Sequence, residues 1–166
     1  MNPGFLPLRT FTLRISLVAA SVAVVAFASA QGPAKAVASD DVPTASRIEP
    51  HELVAAMKAS GTQKPIVLYV GPNAFYIQAH IPGAENIGPV GKPEGMEKLR
   101  ARAASLPKDR PIVIYCGCCP WDHCPNIRPA FAELKTKGFT RVRVLYLATG
   151  LGPDWVEKGF PAAKGE

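Results

Sequence analysis

All four cysteines of the chain, Cys116, Cys118, Cys119 and Cys124, fall within "IVIYCGCCPWDHCPNIRP", residues 112–129. A thiol can be a nucleophile, a redox partner or a soft-metal ligand, so this stretch could be a metal site, a disulfide knot or the setting of one reactive thiol. Structural disulfides usually tie distant segments together. A bridge here would close only a tiny ring and remove little entropy from the unfolded chain. The clustering therefore points to chemistry rather than to stapling.

Position separates the four. Cys116 ends the β-branched and aromatic run "PIVIYC" (111–116) and lies ahead of a helix expected at 127–139. Unpaired N–H groups and the helix dipole favour an anion there, so Cys116 is expected to carry a lowered pKa and to act as a thiolate nucleophile. Gly117, Cys118, Cys119, Trp121, His123, Cys124 and Arg128 complete the candidate loop. Asn126 is its expected end as the N-cap, and Pro129 falls in the first helical turn, where its missing N–H costs little.

Trp121 is expected to cover the loop as packing. His123 is open between a base or ligand and an exposed histidine, and Arg128 between an anion-binding group and a solvated surface arginine. His80 is read as orienting a turn, His51 as part of a helix start, and Trp155 as core.

The three further cysteines admit three readings. Cys116, Cys118, Cys119 and Cys124 could hold a soft metal, Cu(I) or Zn, although their C-x-C-C-x₄-C spacing matches no common zinc or cluster motif. They could resolve a persulfide or sulfenate on Cys116 through a disulfide. Alternatively, Cys119 and Cys124 could be bridged to stiffen the loop.

The elements that must position this loop alternate between strand and helix. "PIVLYV" (65–70), "PIVIYC" (111–116) and "RVRVLYL" (141–147) are continuous apolar runs of the kind found in strands buried on both faces. A brief strand is expected around Asn86 and Ile87. Helices are expected in "EPHELVAAMKASG", in "GMEKLRARAASLP" (95–107) and over 127–139, with a short helical turn after Asn73 and another near Trp155. Such alternation implies βαβ units and a parallel sheet, with strand order open. Ligands of open parallel sheets bind beyond the carboxyl ends of the strands, where Cys116 sits.

The first thirty residues read as a secretory leader. Arg9 and Arg14 precede the uncharged run Ile15–Phe27, and Ala28-Ser29-Ala30 offers a small-x-small cleavage site. The run is short for a bilayer span, and an exported protein of the bacterial periplasm is expected, with no membrane contact after cleavage. Residues 31–46 read as a flexible lead-in and 47–163 as one domain. Losing the leader lowers the net charge from +6 to +4, scattered without a basic run, which argues against a nucleic-acid partner.

"AHIPGAENIGP" (79–89) is similar to the "GHIPGAxNIP" segment of the rhodanese-like (sulfurtransferase) family, with Ala79 in place of the first glycine. "PIVIYC" resembles the strand that delivers the family's active cysteine, which maps onto Cys116. "LATGLGPDWVEKGFP" (147–161) is similar to the closing "GGxxxWxxxGYP" signature through Gly150, Trp155, Gly159 and Pro161.

The resemblance implies a three-layer α/β/α fold with a central, mainly parallel sheet of about five strands. It also implies transfer of sulfane sulfur, through a persulfide on Cys116, from a small anionic donor such as thiosulfate to a thiol or cyanide-like acceptor, without a cofactor. Two departures stand out: Val70-Gly71-Pro72 replaces the family's "DVR", and the loop from Cys116 to Asn126 is longer than the family's, with Arg128 the candidate for its arginine. The competing functions are a thiol–disulfide redox enzyme on the same fold and a non-catalytic module that binds soft metal or senses sulfur. The oligomeric state is left open.

Overall fold

The computed structural model describes Met1, Gly4 and residues 41–165. The apolar leader with its cleavage site, and the lead-in up to residue 40, lie outside the described residues. Among those described, no helix is long and apolar enough to cross a membrane.

The elements run β1 (Arg47–Ile48), α1 (Pro50–Met57), β2 (Ile66–Tyr69), α2 (Asn73–Gln78), β3 (Glu85–Asn86), α3 (Pro93–Ala104), β4 (Ile112–Tyr115), α4 (Ile127–Thr136) and β5 (Val142–Leu145). A last helical turn, Gly152–Val156, follows β5. Local chemistry sets the helix starts: Glu49 and Glu52 form a reciprocal capping box on α1, and Pro50 and Pro93 occupy first turns. Gly138, at φ +84°, turns the chain out of α4 as its sequence position suggests.

The five strands pair in the order β1-β5-β4-β2-β3, every pair parallel. Both faces are covered, which explains why the strands read as unbroken apolar runs. Leu68, Val70, Ile112, Ile114 and Val144 pack under α3 and α4 through Leu99, Ala103, Ala130, Phe131 and Leu134. Val67, Tyr69, Val113, Tyr115 and Leu145 pack on the opposite face against Leu53 of α1, Tyr76 of α2 and Trp155. The expected three-layer α/β/α arrangement is therefore the one observed.

Strand order fixes where a ligand can sit. From β2 the chain steps outward to β3, then returns across β2 to β4 and continues away to β5. The direction of winding reverses between β2 and β4, which opens a crevice at their carboxyl ends. Tyr69 pairs with Tyr115 in register at those ends, so Val70-Gly71 and Cys116-Gly117 leave the sheet side by side.

Two local expectations are revised. The end of the expected lead-in is anchored: Val42 is 1% exposed in the core, Arg47 donates to its carbonyl, and Thr44–Ser46 form a short helical turn. An apolar side chain that fills the α3–α4 face gains more from burial than from solvent. Asn126 does occupy the N-cap position of α4, but its side chain makes no capping bond.

The aromatic layer under the crevice depends on one buried hydroxyl. Tyr115 Oη accepts the backbone N–H of Ile81 at 3.0 Å, and Tyr115 is fully buried. Tyr115→Phe would strand that N–H, so a loss of about 1–2 kcal/mol is expected in denaturant unfolding. An unchanged midpoint and slope would refute that bond.

Candidate active site

β4 delivers Cys116 to the crevice with 2% of its surface exposed. Gly117 then turns at φ +75°, and its carbonyl accepts the N–H of Leu151 at 3.0 Å. A Cβ at this position would lie 2.7 Å from Leu151 Cβ, so only glycine lets the loop close on the C-terminal segment. Across the crevice, Gly71 approaches so closely that a Cβ there would lie 2.8 Å from Cys116 Sγ.

The long loop folds its other sulfurs back on the first. Cys116 Sγ lies 3.1 Å from Cys118 Sγ, and Cys118 Sγ 3.4 Å from Cys119 Sγ. The sulfurs of Cys116, Cys119 and Cys124 lie within 4.8 Å of one another. All four are free thiols. Asn126 bridges this cluster to the neighbouring loop: its Nδ2 donates to Cys116 Sγ at 3.4 Å, and its Oδ1 accepts the N–H of Gly91 at 2.9 Å.

The anion does not sit where the sequence places it. The neighbouring Cys116 thiol first, and the N–H groups of Asn126 and Ile127 after it, pull the Cys124 pKa down to about 6 despite burial. The proximity of Cys124, followed by burial, pushes the Cys116 thiol up. Burial, then Cys118, pushes the Cys119 thiol up as well. Within this close pair of thiols the downward shift falls on Cys124. The extended loop brings Cys124, rather than Cys116, over the unpaired amides of the helix.

The remaining candidates divide. Trp121 is buried and packs edge-on against Tyr146 at 5.1 Å, with the Arg47 guanidinium over its ring, as expected for a cover. His123 is exposed on the short helical turn Trp121–His123 and has no side-chain partner among the described residues. Arg128 donates to the Trp121 carbonyl at 3.4 Å and lies 3.9 Å from Asp41, so it straps the loop from outside. His80 is buried, stacks on Tyr76 at 3.9 Å and bonds its carbonyl, in keeping with a turn-orienting role. His51 is exposed on α1, and Trp155 is fully buried with its indole N–H on the Pro161 carbonyl.

Cys116 and Gly117 form the floor of a cavity of about 260 Å³ whose walls include Tyr69, Phe75, Gln78 and Leu151. None of these wall residues stood out in the sequence. They come from β2, α2 and the C-terminal turn, and only the strand order brings them beside Cys116. Burial, then the neighbouring Cys116 sulfur, raises the Tyr69 phenol well above its ordinary range, so this wall is neutral.

A parallel five-stranded sheet with a cysteine delivered to its switch point defines a class. The family model for the rhodanese-like domain matches residues 49–150, and the chain belongs to that family. No curated protein matches significantly. Among solved structures, the Alr3790 protein from Anabaena sp. is 24% identical with a TM-score of 0.53, covering 70% of this chain and 82% of its own. A solution structure of the rhodanese-like domain of Alr3790 is 25% identical with a TM-score of 0.51, covering 72% and 79%. A thiosulfate sulfurtransferase from Pseudomonas aeruginosa is 26% identical with a TM-score of 0.53, covering 75% of this chain but only 20% of its own.

Proposed function

We propose that the protein is a sulfurtransferase in which Cys116 carries sulfane sulfur from a thiosulfate-like anion to a thiol or cyanide-like acceptor. The observation that carries this reading is the placement of Cys116 at the floor of the crevice cavity, between the ends of β2 and β4. The likeness to a thiosulfate sulfurtransferase supports it at the level of the family.

The chemistry balances without a cofactor. Once the Cys116 proton has passed to solvent through the crevice, the Cys116 thiolate attacks the outer sulfur of thiosulfate. The sulfur–sulfur bond of the donor breaks, sulfite leaves with the bonding pair, and Cys116 holds a persulfide. An acceptor nucleophile then takes the outer sulfur and regenerates the thiolate. Asn126 Nδ2, aimed at Cys116 Sγ, steadies the sulfur as its charge changes. The apparent setting is the bacterial periplasm after removal of the leader, with no nucleic-acid or membrane partner.

A thiol–disulfide couple is the second reading, favoured by the 3.1 Å approach of Cys118 Sγ to Cys116 Sγ. Intact mass after treatment with thiosulfate separates the two. Sulfur transfer adds one sulfur, localised by peptide mapping to Cys116. A dithiol couple instead loses two hydrogens, the two protons and two electrons passing to thiosulfate, which leaves as sulfite and sulfide, and a chain that only loses two hydrogens would overturn the proposal.

A further inference from the structure

Cys116 borders two spaces. One is the crevice cavity of about 260 Å³. The other, of about 10 Å³, is bordered by Cys116, Cys119, Cys124, Trp121, Ile127 and Leu145. The second is at the lower limit for a single water and too small for an oxyanion of sulfur, and only sulfurs among these side chains offer strong donor atoms.

We propose that in the reduced protein this second space is a soft-metal site, in which the sulfurs of Cys116, Cys119 and Cys124 hold one Cu(I) ion. The three sulfurs already lie within 4.8 Å of one another. Thiolate–metal bonds of about 2.3 Å in a trigonal plane would set them about 4 Å apart, which needs only a small contraction. Cu(I) accepts three thiolates in a plane, whereas structural Zn takes four ligands in a tetrahedron. The apolar walls beside the triangle bring no ligand, and the remaining sulfur, that of Cys118, adjoins Cys116 and Cys119 but is not within 4.8 Å of all three. Cys118, half-exposed, stands outside the triangle.

No charged side chain reaches the sulfurs among the described residues: the side-chain hydrogen bond that comes to Cys116 from outside the thiol cluster is from the neutral Asn126 amide. The loop's Arg128 is turned to Trp121 and Asp41. Binding of Cu(I) displaces the thiol protons to solvent, and the charge of the ion offsets the repulsion among the thiolates so formed. No electron moves, because copper enters and leaves as Cu(I).

Since Cys116 serves both spaces, metal occupancy removes the nucleophile. Copper loading and sulfur loading are then mutually exclusive, a regulatory consequence that rests on the sulfurtransferase reading. The metal site itself does not.

The test is anaerobic titration of the reduced, metal-free protein with Cu(I) in competition with a colorimetric Cu(I) chelator. One ion per chain is expected. Cys119→Ser should weaken it by more than the roughly 10- to 100-fold that loss of an outer-shell partner costs, while Cys118→Ser should retain it. Circular dichroism of each variant confirms that it is folded. Copper uptake no greater than that of a Cys116/Cys119/Cys124 triple-serine variant would overturn the proposal. So would equal loss in Cys118→Ser and Cys119→Ser, or tighter retention of Zn than of Cu(I). Intact mass after thiosulfate treatment keeps the two readings apart. Sulfur on the metal-free chain but also on the copper-loaded chain refutes exclusivity alone, and no sulfur on either, with copper bound, refutes the transferase alone.

Discussion

Cys116→Ser should reduce thiosulfate-dependent sulfur transfer to cyanide to background, a fall of at least about a thousandfold as for loss of other enzymatic nucleophiles. Serine differs from cysteine by one atom and fits a site that is 2% exposed, so the fold should be kept. Asn126 Nδ2, which donates to Cys116 Sγ at 3.4 Å, can still donate to a hydroxyl. What serine cannot do is form a persulfide or become an anion at neutral pH. The result matters here because three other thiols crowd the same loop, and Cys124 is the one whose pKa is pulled down, by the Cys116 thiol first and by the amides of Asn126 and Ile127 after it. Production of thiocyanate by the variant at more than a tenth of the parent rate would mean that another cysteine carries the sulfur. Peptide mapping would then find the added sulfur on Cys118, Cys119 or Cys124. Either result would end the assignment of Cys116.

The contrast between those thiols shows where sequence stops being informative. The strands were legible because both faces of a parallel sheet are buried, and burial leaves an unbroken apolar run at Ile66–Tyr69 and Ile112–Tyr115. The position of Cys116 at a carboxyl strand end followed from that alone. Which thiol holds the anion did not, because it depends on a loop path of long-range geometry. Cys124 reaches the N–H groups of Asn126 and Ile127 only because the chain makes a turn at Trp121–His123 and is tied down by the Trp121 N–H on the Ala148 carbonyl. His123 and Arg128 failed to converge for the same reason: the tie that buries Trp121 leaves His123 on the outer side and draws Arg128 to the Trp121 carbonyl. Asn126 was placed correctly as a cap by residue type, but residue type could not say that its amide serves Gly91 and Cys116 instead. The cavity walls were invisible for want of strand order, since Tyr69 and Phe75 are distant from Cys116 in sequence and adjacent only across β2 and β4.

Gly71→Ala should damage both the fold and the site, costing about 3 kcal/mol of stability, at the upper end for an overpacked core. A methyl at this position would lie 2.6 Å from Tyr69 Oη, 2.7 Å from Tyr69 Cζ and 2.8 Å from Cys116 Sγ. None of the three can move aside easily. Tyr69 is 1% exposed, is held by its hydroxyl on the Pro72 carbonyl at 3.0 Å, and lies against the rings of Tyr76 and Tyr115 at 5.3 and 5.2 Å. Cys116 is fixed by the strand beneath it and by the sulfurs beside it. The methyl must therefore push Cys116 away from the crevice or part β2 from β4, and either displacement misaligns the sulfur for attack. Sulfur uptake should fall along with stability, and the loss of uptake should persist at temperatures where the variant is fully folded. Gly152→Ala supplies the control, because nothing lies within 4 Å of a Cβ there and its backbone suits any residue. It borders the same cavity but should unfold like the parent. Gly71 itself stands in Val70-Gly71-Pro72, the segment that the sequence resemblance sets against the family's "DVR". On this reading the departure is steric: a residue without a side chain lets the end of β2 close against a nucleophile surrounded by other thiols. A Gly71→Ala variant that unfolds with the parent and takes up sulfur at the parent rate would show that no such close approach exists.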